Sequence, residues 1–393
     1  MRAYPLERTL GRERGLRAAA AVISAIALVA MSAIPAGAAP AWTVVNDGSS
    51  PPATELTGVA CVSTSRCFAV GYRDNSDDYK AVIELGVGKT WTRMSRPEPA
   101  KRKPGRFPPL TSVVCAAPGN CFAVGSYLND LGNSTALIHH WNGKAWGLMN
   151  AGAPKKGAGQ TSLGSVACPT PTSCYAVGSY ATLDGSVATL VEHWNGQLWK
   201  AQDAPTSSSL PTALRGVACV SDTSCFAVGT VLGPKSTKPF IIRWNGTAWS
   251  TMTSPGLQFA GLDDIACASA NVCFATGSLA TGKTSTLLER WNGSKWTVVT
   301  LKNMPTANHL FGITCASPTA CFAVGRKAWS TAGFKTLVLR WNGTTWAPFA
   351  SPNQTGATSN WLNAVSCVST TRCRAVGTYL DNGVYHSMVQ NFA

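Results

Sequence analysis

Residues 110–150 read "LTSVVCAAPGNCFAVGSYLNDLGNSTALIHHWNGKAWGLMN". Leu110 to Cys115 has the β-branched content of a strand, "AAPGN" reads as a turn, and Cys121 to Tyr127 reads as a second strand. A loop rich in Asn, Asp and Gly leads to an apolar third strand, Ala136 to Trp141. Asn142-Gly143 then signals a two-residue type I′ hairpin, which needs positive φ at both positions, and Trp146 falls on a fourth strand. The stretch predicts a four-stranded antiparallel meander.

The unit recurs seven times. Its cysteines fall six positions apart as Cys61 and Cys67, Cys115 and Cys121, Cys168 and Cys174, Cys219 and Cys225, Cys267 and Cys273, Cys315 and Cys321, and Cys367 and Cys373, with none left over. Each second cysteine opens a version of "CFAVG", and "WNGKAW", "WNGQLW", "WNGTAW", "WNGSKW" and "WNGTTW" follow, with a degraded "GVGKTW" in the first repeat. First cysteines are 48 to 54 residues apart, a period that marks propellers and solenoids. Residues 42–45 carry Trp42 where the other repeats carry their fourth-strand tryptophan, and the last repeat stops at Phe392, which aligns with the first tryptophan of WNG. The N-terminal strand therefore completes the last blade and removes exposed edges. The expectation is an all-β, seven-bladed β-propeller of four-stranded antiparallel blades over residues 40–393.

Residues 1–39 differ. Five arginines precede an uncharged run from Ala18 to Ile34 and a small-residue stretch, "AGAAP", the three-part layout of a secretory signal peptide. Export to an oxidising compartment makes seven local disulfides the natural reading of the cysteines. Each closes a small ring and should add about 2 to 3 kcal/mol on the chain-entropy model. The CX5C pairs do not suit structural zinc, which takes two closely spaced ligand pairs. The acidic "DNSDD" lacks the longer EF-hand pattern, and no metal or cofactor is expected. Without the leader, 28 basic and 16 acidic side chains remain, a net charge of +12. That balance draws an exported protein to anionic surfaces, and the run Arg93, Arg96, Lys101, Arg102, Lys103 and Arg106 could touch an anionic polymer. No nucleic-acid motif is present, no later segment is apolar enough for a membrane span, and a monomer is expected.

An apolar strand ending in glycine, a loop, then a strand with an aromatic-bearing hairpin resembles kelch-type propellers and, more loosely, the galactose-oxidase-like fold. The repeat departs from kelch in keeping one glycine of the usual pair and in its shorter WNGxxW hairpin. Copper-radical chemistry of the galactose-oxidase kind would need an unpaired cysteine beside a tyrosine, and every cysteine here has a partner.

Because strands alternate direction, the two short turns of each repeat emerge on one face. The variable loops, such as "RDNSDDYK", "GPKSTKP", "RKAWSTAG" and "SRPEPAKRKPGRFPP", emerge on the other, where binding usually lives. Each first strand enters there at a repeated leucine. After it stand Thr57, Thr111, Gly164, Arg215, Asp263, Phe311 and Asn363; before it stand Glu55, Pro109, Ser162, Ala213, Gly261, His309 and Trp361. This local loss of symmetry suggests a pocket in which Arg215, Asp263 and Asn363 make polar contacts and His309, Phe311 and Trp361 form walls. The favoured function is a secreted, non-catalytic recognition propeller for a surface glycan or exported protein. The alternative is an extracellular polysaccharide hydrolase or lyase, for which Glu55 and Asp263 form the one candidate carboxylate pair.

Overall fold

Strands of three to fourteen residues, with no helix among the described residues, make seven four-stranded antiparallel sheets. The computed structural model describes residues 39–393 except 46–51, 155–156, 208–209, 282, 303, 305–306 and 331–332; the expected leader lies outside them but for Ala39. Blade 2 is representative, with strands Leu110–Ala117, Asn120–Leu128, Ser134–Trp141 and Trp146–Met149 in that order. Blades are numbered along the chain, beginning with residues 54–93. First strands of successive blades touch all the way round, including that of blade 7 against that of blade 1. In blade 7 the strand Trp42–Val45 pairs with Val384–Phe392 in the register Trp42↔Phe392, the counterpart of Trp141↔Trp146.

All fourteen cysteines are bonded within their own repeats. Partners face each other across the first two strands with Cα atoms 3.9–4.0 Å apart, and in blade 2 pairing runs on past them to Ala117↔Asn120.

The hairpin after the third strand differs from the expected two-residue turn. Strands end at Trp141 and resume at Trp146, and only Gly143, at φ 93°, is left-handed. The Asn142 carboxamide oxygen accepts from the backbone N–H groups of Lys144 and Ala145, both at 3.0 Å. The asparagine acts through its side chain, as an Asx turn, and Asn195, Asn245, Asn292 and Asn342 do the same.

The aromatic residue of "CFAVG" plugs six of the seven seams. Phe68 of blade 1 sits 5.4 Å from Trp141 and 5.3 Å, edge-on, from Trp146 of blade 2, geometry that adds about 0.5–1.5 kcal/mol beyond area burial. Phe122, Tyr175, Phe226 and Phe274 repeat it, and Phe322 meets Trp42 and Phe392. The residue before WNG lids the plug: His140 stacks on Phe122 and His193 on Tyr175, each at 4.6 Å, while Arg243, Arg290 and Arg340 lie over Phe226, Phe274 and Phe322. The two histidines are thus part of the inter-blade packing.

On the third strand, the position opposite the alanine of "CFAVG" anchors the linker arriving from the preceding blade. Glu192 accepts from Gly152 N–H at 2.9 Å, Glu289 from the Ser254 hydroxyl at 3.0 Å, and Gln390 accepts from the Ser351 hydroxyl at 2.9 Å. Burial pushes the carboxyls of Glu192 and Glu289 up to about 7 each. A carboxyl whose folded-state pKa is raised binds its proton more tightly when folded, so its contribution declines as pH climbs from about 4.5 to about 7. Glu192→Gln keeps the acceptor without the charge. It should raise thermal stability at pH 8, by on the order of 1 kcal/mol or more, and leave it nearly unchanged at pH 4. Equal destabilisation at both pH values in thermal melts would contradict this assignment.

Candidate functional site

A β-bulge explains how the diversified positions reach the channel. In every blade the pairing of strands one and two skips one residue directly after the repeated leucine, as between Leu56↔Gly71 and Gly58↔Val70. The skipped residues are Thr57, Thr111, Gly164, Arg215, Asp263, Phe311 and Asn363, and all seven line the central cavity, about 400 Å³ in volume. Bulges bend a strand and re-aim side chains. The invariant glycine of "CFAVG" permits this one: a Cβ on Gly277 would run into the Gly261 carbonyl oxygen, and the other six blades have the same close approach.

The ring of bulges divides by role. Thr57 donates to Leu110 O at 2.8 Å, Thr111 to Leu163 O at 3.0 Å, and the Asn363 amide to Leu56 O at 2.8 Å. These three staple seams, and Asn363 spends an amide donor on the joint between the last blade and the first. Across blades 4 to 6 the bulge residues instead form a cluster at the mouth. Asp263 accepts from Arg215 Nη1 at 3.0 Å, and its other oxygen lies 2.7 Å from His309 Nε2. The His309 ring is 4.4 Å from Phe311. Behind them Asp264 accepts from the N–H groups of Ile265 and Ile313, both at 2.9 Å, and burial pushes its carboxyl up to about 7.

Arg326, within "RKAWSTAG", extends the cluster outward. It pairs across the sheet with His309, and its guanidinium lies 5.5 Å from the Phe311 ring and 4.2 Å from the Phe334 ring. No carboxylate among the described residues is within ion-pairing range of it. Trp329, 66% exposed, carries Lys335 Nζ 3.0 Å over its ring farther out. The result is a band of aromatic faces and cations from a variable loop to the channel.

The remaining expected residues lie elsewhere. Trp361 packs edge-on against Tyr385 at 5.9 Å. Glu55 accepts from the Tyr72 hydroxyl at 2.7 Å and from the Thr378 hydroxyl at 3.4 Å, with burial raising its pKa. Neither lines the channel cavity, so Glu55 and Asp263 belong to separate clusters. The basic loop is largely committed within the chain: Arg102 pairs with Asp78, Arg96 with Glu98, Arg106 with Asp74 and Lys101 with Asp130. The Arg102 guanidinium holds the Asp78 carboxyl well below the usual carboxylate range. No group of three metal-ligating side chains occurs among the described residues.

No protein-family model and no curated protein matches the chain. Solved structures share its fold. YCF48 bound to a D1 peptide is 12% identical at a TM-score of 0.55, covering 90% of this chain and 96% of that one. An ulvan lyase, a polysaccharide lyase bound to -[GlcA(1-4)Rha3S]-, is 9% identical at 0.54, covering 88% and 94%. Trypanosoma rangeli sialidase is 10% identical at 0.51, covering 90% of this chain and 60% of its own. The chain is a seven-bladed propeller with a disulfide in every blade, and proteins of this fold include both binders and enzymes.

Proposed function

We propose that this protein is a secreted, non-catalytic recognition propeller of kelch-like type that binds acidic glycans at the channel mouth on its variable-loop face. The observation that carries the reading is Arg326, held between Phe311 and Phe334 with no carboxylate partner among the described residues, beside the Arg215–Asp263–His309 cluster. Aromatic faces accept the apolar faces of sugar rings, and a guanidinium fork matches the planar oxygens of a carboxylate or sulfate. The +12 balance of residues 40–393 attracts such polymers, and seven disulfides accord with the oxidising extracellular compartment where they occur. An acidic peptide from an exported protein could meet the same cations, but the paired aromatic faces favour a sugar. Hydrolysis is disfavoured because both Asp263 oxygens are already engaged, by Arg215 and His309, while Glu55 is engaged by Tyr72 and Thr378.

The test is calorimetric titration with oligosaccharides of the GlcA–Rha3S class, beside neutral ones of equal length. The acidic series should bind, with affinity falling as salt rises, and the neutral series should not. Equal binding of both, or of neither, would refute the reading, and depolymerisation of the acidic series would favour the enzyme.

A further inference from the structure

The seam between blade 7 and blade 1 breaks the plug rule at both partners. Blade 7 reads "CRAVG", with Arg374 in the aromatic's place, and blade 1 has Gly86 where other hairpins have the first tryptophan. Trp91 lies so close over Gly86 that a Cβ there would strike its ring. Arg374 Nη2 donates to Gly88 O at 2.6 Å. Its other terminal nitrogen, Nη1, is buried with no hydrogen-bond partner, in a side chain only 9% exposed. Its pairing residue, Asn391, also has a buried oxygen without a partner.

Beside these atoms a pocket of about 230 Å³ opens on the short-turn face, away from the channel mouth. Val368, Phe392 and the disulfide cysteines Cys61 and Cys373 give it apolar walls, and Lys89 and Arg372 stand with Arg374 in its lining, which contains no acidic side chain; the Ala393 main chain, tied to Ala41 by hydrogen bonds of 3.1 and 3.4 Å, closes one side. A buried guanidinium with an unused donor is costly to leave uncompensated, and three cations around an apolar hollow specify an anion with a small apolar body.

We propose that this seam pocket is a second binding site, for a small carboxylate with an apolar body, whose oxygens accept from Arg374 and whose body rests on Phe392 and Val368. The site is independent of the channel mouth, so neither proposal depends on the other.

Benzoate and its neutral isostere benzamide are suitable probes, titrated into the full-length protein by calorimetry. Benzoate should bind at least about tenfold more tightly than benzamide, the value of a charge-assisted bond in a desolvated site. Arg374→Met should remove that preference, exposed Lys89→Ala should weaken benzoate a few-fold, and Arg326→Ala should change nothing. Lys89→Ala leaves the seam packing in place and keeps the test decisive if the Arg374 variant does not fold. No benzoate binding by about 10 mM, equal affinity for the two probes, or benzoate affinity unchanged in Lys89→Ala would overturn the proposal. So would a loss of benzoate binding in Arg326→Ala, which would move the ligand to the mouth.

Discussion

Trp42→Ala should destabilise the protein by about 3–5 kcal/mol, the cost of removing a large buried aromatic. Trp42 is the third residue of the compact unit Pro40–Ala393, a position where chains are often loosely held. Here it is 5% exposed, edge-on to Phe322 at 5.5 Å and 5.4 Å from Phe392. Its strand supplies the fourth strand of blade 7, so the substitution opens the blade 6 to blade 7 seam and loosens the joint that closes the ring. Urea denaturation should give Trp42→Ala a loss comparable with that of Trp146→Ala, which holds the same place in blade 2. A loss below about 0.5 kcal/mol, the range of ordinary surface substitutions, would mean that residues 42–45 are not integral to the ring.

Arg326→Ala should lower affinity for acidic oligosaccharides at least about tenfold, because a desolvated charge-assisted pair is worth roughly 1.5–3 kcal/mol. The same change should cost folding stability only about 0.5–1 kcal/mol, the scale of its cation–π contacts, since the guanidinium has no ion-pair partner among the described residues to abandon. Arg326→Lys separates charge from shape. It keeps the cation but loses the planar fork that stacks between Phe311 and Phe334, so an intermediate affinity is expected. Full affinity in Arg326→Ala would remove the central residue of the proposed site.

The ring was legible because its determinants are repeated chemistry at fixed spacing: paired cysteines, one glycine that must admit a carbonyl, and tryptophans that clasp the previous blade. Even the match of Trp42 to Phe392 could be read from aligned repeats. The hairpin type was not, since Asn-Gly is compatible both with a backbone-driven two-residue turn and with the side-chain-capped turn that Asn142 makes. The diversified residues after each leucine were identifiable as a set, but their division was hidden: Asn363 and Thr57 each reach a carbonyl of the neighbouring blade, whereas Arg215 reaches Asp263. Arg326 lies on the second strand, outside the positions that flank the leucine. Its signal was nonetheless present, for the residue after the "CFAVG" glycine is Tyr, Ser or Thr in the other six blades and a cation only in blade 6. Arg374 is the odd member of its motif in sequence, but that Gly86 faces the same seam is a property of the folded ring alone.

The most direct measurement is a crystal structure of the protein soaked with a GlcA–Rha3S oligosaccharide. The prediction is sugar density on the variable-loop face, a ring against Phe311 or Phe334 and an acidic group within hydrogen-bonding distance of Arg326. An ordered oligosaccharide confined to the short-turn face, or a channel mouth that stays empty while the sugar binds in solution, would contradict it.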